Sequence, residues 1–399
     1  MKPENLISET LREWAEEARV PPDLAGRALR GRVRRRVRTG AMAAAAAACV
    51  VAVGVVAPGL VADRLPGDRS AVLTDPTAST TPGPLEVSAD PEGSPPRTFV
   101  AAGRMAMSAY YTWKEVEIAE RSTRREETWF LYDARTGGYV KTPWGRVGVA
   151  RGMRHAVVLE REQPARRLGI LDMATHEVVR WVDLEKPVSY VTWSPDGTKV
   201  LATAYERDPT IRENVSEDGT SSSIPSPGRN GFYVVDGATG EASYHAVSAT
   251  DAMKGPGTEP FRWSEDGTRI SGSCCDSPEY YDLDGKPAGA PERRVETFQQ
   301  AGISPDGRLY AADGAPPGPQ TTVRDVQTGK IVGTQPMLQL MAWADDSHLI
   351  ALGCAGTCEN EFTNGLVVVS VDGKEVARLT GDRDNSQRAG NWVPVLTPR

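Results

Sequence analysis

The chain has 399 residues, with 46 lysines and arginines against 53 aspartates and glutamates, and it is 39% apolar: a globular composition with a net charge of −7. Four histidines, five cysteines and six phenylalanines leave little material for a metal cluster, a haem pocket or an aromatic nucleic-acid platform.

The charge is unevenly placed. Residues 1–40 carry ten basic and six acidic side chains, whereas residues 41–62 carry none. The uncharged stretch reads AMAAAAAACVVAVGVVAPGLVA. As a helix rising about 1.5 Å per residue it reaches about 33 Å, enough for the hydrocarbon core of a bilayer. Seven arginines (Arg27, Arg30, Arg32, Arg34, Arg35, Arg36 and Arg38) crowd its N-terminal side and Asp63 follows it. The positive-inside rule then predicts a cytoplasmic N-terminus and an extracytoplasmic remainder. A cleaved signal peptide has a much shorter leader than 40 residues, and lipid attachment at Cys49 leaves half of the apolar run unused. An uncleaved membrane anchor is the expectation.

Before the anchor, Leu6, Ile7, Leu11, Trp14, Ala15 and Ala18 recur at three- and four-residue steps, predicting an amphipathic helix that Pro21-Pro22 ends. Such a helix lies on anionic lipid or docks a cytoplasmic partner through residues 1–38. After the anchor, residues 63–96 hold seven prolines among Ser, Thr, Gly and Asp, and read as an extended linker.

From residue 97 the chain repeats. Trp193-Ser-Pro-Asp196-Gly197, Trp263-Ser-Glu-Asp266-Gly267, Ile303-Ser-Pro-Asp306-Gly307 and Trp343-Ala-Asp-Asp-Ser347 each precede a β-rich run. The chemistry is that of a tight turn: proline presets φ, aspartate accepts backbone hydrogen bonds, and glycine takes the positive φ that closes a hairpin. A second motif interleaves, with aspartates at Asp133, Asp172, Asp236, Asp282, Asp325 and Asp372, three of them (Asp133, Asp236 and Asp325) within D-x-x-T-G. Two hairpins per unit of about 40–50 residues make four strands per unit, the mark of a propeller blade. Six copies of the second motif predict an all-β, six-bladed propeller over 97–399, with seven blades as the alternative count. The first two blades lack the first motif and rely on Gly103 and Gly152. The terminal segment 391–396 is expected to pair with the blade that begins near Phe99 and so join the two ends of the array.

These motifs resemble the WD40-like repeats of TolB-type bacterial β-propellers over roughly 145–380. The resemblance implies that Trp193, Trp263 and Trp343 pack between neighbouring blades, with Ile303 in the same slot. The anchor and cytoplasmic arm have no counterpart in that family, so its role in the envelope is not carried over.

G-x-S-x-G does not occur, and Gly302-Ile-Ser304, the nearest approach, continues Pro-Asp. His155, His176, His245 and His348 are scattered, and Asp282 with Asp284 reads as a turn before it reads as a calcium ligand pair. Neither a catalytic residue, a cofactor nor a metal is expected. Long second turns at 114–128, 206–230, 313–320 and 354–364 point to one face of the propeller as a loop-borne binding surface. Cys274, Cys275, Cys354 and Cys358 fall near that face and, outside the cytoplasm, are candidates for disulfides of open connectivity. The functional expectation is a membrane-anchored, non-catalytic binding or scaffolding module for a protein, peptide or glycan, without nucleic-acid binding. The alternatives are a sensor signalling through the cytoplasmic arm in the manner of an anti-sigma factor and, behind it, an enzyme using the loop face.

Overall fold

The computed structural model describes residues 85–399 apart from 215–221, 224–227, 248–258, 273–278, 293, 296, 298, 315–320 and 354–361. The membrane-anchor, cytoplasmic-arm and cysteine readings, and residues 63–84 of the linker, lie outside the described residues. Among the described residues no helix is long and apolar enough to cross a membrane.

The described strands form five antiparallel sheets built mostly from strands adjacent in sequence, and dividing the seven-stranded one at its longest strand gives six successive groups. In the first, Met105–Ala119 pairs with Ser122–Asp133, which pairs with Gly138–Lys141. The second runs Arg146–Val149, His155–Leu159, Ala165–Asp172 and the opening residues of Val178–Trp193. That last strand has 16 residues and is shared: 188–193 begin the third group by pairing with Lys199–Tyr205, followed by Arg229–Asp236 and Ala242–Ala246. The fourth holds Phe261–Trp263, Ile270–Gly272, Glu279–Tyr281 and Pro287–Ala288. In the fifth a single bridge from Ile303 to Tyr310 precedes Leu309–Asp313, Thr321–Asp325 and Ile331–Gln335. The sixth holds Gln339–Trp343, His348–Gly353, Gly365–Ser370 and Glu375–Arg378.

The C-terminal strand Trp392–Pro398 returns to the first group and pairs with Met105–Ala119, from Trp392 opposite Thr112 to Pro398 opposite Met105. It is an edge strand, so Pro394 removes no second ladder. Successive groups bury apolar side chains against one another. Ala109 and Leu131 of the first meet Val158 and Leu171 of the second, and Leu201 and Phe232 of the third meet Phe261 and Ile270 of the fourth. Met107 and Tyr110 of the first join Ile350 and Val368 of the sixth in one cluster. There the Arg104 amide donates to the Ala344 carbonyl at 2.9 Å. The first group thus packs against both the second and the sixth.

Both repeated turns are built by side-chain acceptors. Ser194 Oγ accepts the Lys199 amide at 2.9 Å and donates to Asp196 Oδ1 at 2.5 Å, while Asp196 Oδ1 also accepts the Thr198 amide at 3.0 Å and Gly197 sits at φ 74°. Ser264 with Asp266, and Ser304 with Asp306, repeat the arrangement. In the second motif, Asp236 Oδ1 accepts the Ala238 and Thr239 amides at 3.0 and 2.8 Å. Where the repeats place glycine, the second group has His176, held at φ 61° with its Nε2 3.2 Å from the Tyr132 carbonyl oxygen.

These hydrogen bonds favour the charged carboxylates. The Ser194 hydroxyl lowers the pKa of Asp196, the Thr175 and Thr239 amides lower Asp172 and Asp236, and the Ser370 hydroxyl brings Asp372 down to about 2. A carboxyl with a depressed folded pKa contributes stability that is present above its unfolded value of about 3.9 and is lost as pH falls through the folded value. Burial pushes the phenols of Tyr139, Tyr205 and Tyr281 upward, so their contribution is lost only as pH rises above about 10. Urea midpoints of the domain should therefore be flat between about pH 5 and 9 and fall on either side. A midpoint unchanged at about pH 3 would remove the turn aspartates from this account.

Two expectations need correction. Residues 85–96, read as part of a linker, are docked. Val87–Ser88 pairs with Ala101–Ala102, the Asp90 amide donates to the Leu379 carbonyl, and the Gly381 amide donates to the Gly93 carbonyl. Asp90 is buried and accepts the Arg97 guanidinium at 3.0 Å, which lets a polar, proline-rich segment fold without apolar periodicity. Residues 114–128, read as an irregular loop, form a two-stranded ribbon with one register shift between Glu117 and Ala119, ending in a turn at Glu120 and Arg121. Cross-strand neighbours of opposite charge, Lys114 beside Glu126 at 3.5 Å and Glu115 opposite Arg125, favour the ribbon despite its polar sequence.

Candidate functional site

The ribbon does not end free. Ile211–Asn214, from the long second turn of the third group, pairs with Ser122–Asp133 through Ile211 opposite Arg124, Arg212 opposite Thr123 and Glu213 opposite Ser122. The Arg125 amide also donates to the Thr210 carbonyl at 3.2 Å. Together these segments border a cavity of about 340 Å³ with walls from the first four groups.

Four guanidinium groups line it, those of Arg125, Arg146, Arg212 and Arg262, against two carboxylates, Glu127 and Glu259. Each reaches the cavity from a different place: Arg125 from the ribbon, Arg146 from the first strand of the second group, Arg212 from the inserted segment and Arg262 from the first strand of the fourth. Arg146 pairs with Glu127 at 3.0 Å, their side chains 13% and 7% exposed. Its guanidinium lies 4.2 Å from the Tyr190 ring centroid, and that of Arg125 lies 4.3 Å from the Trp113 ring. Glu127 also accepts the Trp129 indole at 3.0 Å. Arg262 pairs with Glu259 at 3.2 Å, both largely exposed. Burial, reinforced by the Glu127 charge, pushes the Tyr111 phenol up, so that at neutral pH it is an uncharged hydrogen-bonding group on the wall. The Nε atoms of Arg125 and Arg146 are buried and make no hydrogen bond, although that of Arg125 lies 3.9 Å from Glu127, and Arg212 makes no ion pair with any described residue.

A second cavity of about 360 Å³ adjoins the first and shares Tyr190, Pro260 and Arg262 with it. It is the more apolar of the two, with Trp193, Leu201, Phe261 and Trp263 in its walls.

The repeat tryptophans cross from one group to the next. The Trp193 indole donates to the Gly148 carbonyl at 3.1 Å, Trp263 to Thr192 at 3.4 Å and Trp343 to Gly302 at 3.2 Å. Ile303, at the corresponding position, donates its amide to Glu265 at 3.3 Å. Gly103 and Gly152 adopt φ of 52° and 77° in the turns of the first two groups. Asp196, Gly197, Asp266, Gly267, Asp306 and Gly307 lie in turns between the first and second strands of the third, fourth and fifth groups, and Trp193 and Trp263 additionally line the second cavity. Cys274, Cys275, Cys354 and Cys358 lie outside the described residues.

His348 Nδ1 is 3.0 Å from Asp345, and His245 packs beside Phe232. Asp282 Oδ1 accepts the Asp284 and Lys286 amides, and among the described residues no cluster of His, Cys, Asp and Glu is arranged to hold a metal. The arginine cavity escaped the sequence reading because its lining is spread over four groups; the one local sign was the run Arg124-Arg125-Glu126-Glu127 on a segment read as a loop.

No family model matches the chain, and no curated protein matches it. Among solved structures, TolB from Acinetobacter baumannii is similar at 17% identity over 75% of this chain and 68% of that chain, with a TM-score of 0.39. Hydrazine synthase of Kuenenia stuttgartiensis is similar at 14% identity over 59% of this chain and 65% of that chain, with a TM-score of 0.31. At TM-scores this low neither likeness carries weight for fold or function.

Proposed function

We propose that this chain is a single-pass membrane protein whose extracytoplasmic part is a six-bladed β-propeller acting as a non-catalytic binding module for a protein, peptide or glycan. The successive antiparallel groups of strands, with the first packed against both the second and the sixth, support the propeller reading, and the uncharged stretch 41–62 behind seven arginines supports the anchor. One observation carries the binding reading: a cavity on which four groups converge, lined by guanidiniums and tyrosines that serve recognition through ion pairing and stacking. The amphipathic spacing from Leu6 to Ala18 keeps one alternative in view, a sensor that passes the binding event to a cytoplasmic partner of residues 1–38.

A photo-crosslinking amino acid placed at Thr210, beside the cavity, should give a discrete adduct in intact cells, whereas one at Val376 on an outer strand should give none. Equal labelling from both positions, or none from either, would remove the cavity from the proposal. Protease added to spheroplasts should cut within 63–84 and release the folded remainder. Full-length protein recovered from the soluble fraction would contradict the anchor.

A further inference from the structure

The two adjoining cavities differ in chemistry in a way that narrows the ligand. We infer that they form one composite site for a peptide segment carrying a carboxylate next to an apolar side chain. The carboxylate faces the arginine cavity, and the apolar side chain fills the cavity between Trp193 and Trp263. The inference rests on the binding-module reading and specifies its ligand.

Three observations carry it. First, the charge is incompletely matched: Glu127 and Glu259 engage Arg146 and Arg262, while Arg212 has no carboxylate partner among the described residues. A guanidinium of this kind offers a planar fork that fits a carboxylate. Second, Arg125 and Arg146 share the single carboxylate of Glu127, at 3.9 and 3.0 Å, and neither Nε–H makes a hydrogen bond, so the two guanidiniums keep donor capacity that Glu127 does not use. Third, the neighbouring cavity is walled by Leu201, Phe261 and the two repeat tryptophans, and its Thr203 hydroxyl already accepts the Phe261 amide at 3.0 Å. A sugar ring would bring several hydroxyls into that space with few partners, whereas a hydrocarbon side chain needs none. Because Tyr190, Pro260 and Arg262 belong to both cavities, the carboxylate and the apolar group must lie within about three residues of each other in an extended segment.

The test uses the full-length protein in lipid nanodiscs, panned with phage-displayed random heptapeptides. Enriched peptides are then synthesised with a fluorescent label for anisotropy titration. The expected result is enrichment of Asp or Glu within about three positions of Leu, Ile, Phe or Trp. Replacing the acid by its amide, or Arg212 by alanine (Arg212→Ala), should weaken binding about tenfold, as expected for loss of a charge-assisted contact. Raising salt from about 0.05 to 0.5 M should weaken it as well. A melting temperature for Arg212→Ala equal to that of the parent separates lost binding from lost fold, and Arg212→Lys should recover part of the affinity. Enriched peptides that lack acidic residues, or acidic peptides that Arg212→Ala binds unchanged, would overturn the inference and leave the binding module standing. Absence of any enriched peptide would overturn the inference, and together with no adduct from Thr210 it would overturn the binding reading too. Displacement of the peptide by decanoate at equal affinity would assign the site to a free amphipathic acid and overturn the commitment to a peptide.

Discussion

Deleting residues 391–399 should abolish the cooperative melting of the Ser79–Arg399 unit or lower its midpoint by at least about 10 °C, and it should promote association. The segment holds the strand Trp392–Pro398, which covers one edge of Met105–Ala119 through seven residue pairs. Trp392 is only 2% exposed, packs beside Tyr110 and donates its indole to Ser94 at 3.0 Å. Removing one fully buried tryptophan side chain costs about 3–5 kcal/mol, and the deletion adds the loss of a ladder and the exposure of a strand edge. Trp392→Ala isolates the packing component and should lower the midpoint without promoting association. Calorimetry with sedimentation analysis reads both effects, and a deletion variant that melts with its parent as a monomer would show that the C-terminal strand is dispensable.

Arg383→Ala should destabilise the same unit by about 3–5 kcal/mol, and Arg383→Lys should recover less than half of that. Arg383 is 3% exposed and lies between the sixth group and the returning strand. Its Nη1 donates to the Trp392 carbonyl at 3.0 Å, its Nε to the Asn364 carbonyl at 3.3 Å and its Nη2 to the Asn364 side-chain oxygen. The guanidinium also faces the Trp392 ring at 5.2 Å. Burial pulls its pKa down to about 10, so at neutral pH the group is charged and depends on these oxygens and the ring for stabilisation. Truncation removes three hydrogen bonds from a charged donor to buried oxygens, each contributing about 1.5–3 kcal/mol. A lysine is a point donor and cannot span acceptors on two segments. Equilibrium denaturation measures the difference, and a loss below about 1 kcal/mol for the alanine variant would show that the buried charge costs as much as its contacts return.

How much of this was legible in the sequence depended on whether the governing interactions are local. In Ser194-Pro-Asp196-Gly197 the serine hydroxyl, the aspartate and the positive-φ glycine satisfy one another within six residues, so the motif announces its turn wherever it occurs. The return of 392–398 to the first group was also legible, because a strand-like end after a long repeat array has an unpaired first unit to meet. The ribbon 114–128 was missed since charged residues suggest a solvated loop, and only the partner strand shows that Lys114 stands beside Glu126. The docking of 85–96 hinges on Asp90 meeting Leu379, and no local pattern records that meeting. The arginine cavity was the least legible, because Arg125, Arg146, Arg212 and Arg262 each look like ordinary surface arginines until the chain is folded.

The pairing of Ile211–Asn214 with the ribbon also constrains the order of assembly. It joins residues separated by about ninety positions, so it bears a loop-closure cost that the neighbouring hairpins do not. Only three residue pairs hold it to the ribbon, and two more join it to Ser222–Ser223. It can form only after the first and third groups have folded, and it is the first sheet contact expected to open. Amide exchange at 211–213 should therefore be governed by local opening and not by global unfolding, and that opening admits solvent to the arginines beneath while the rest of the array stays intact.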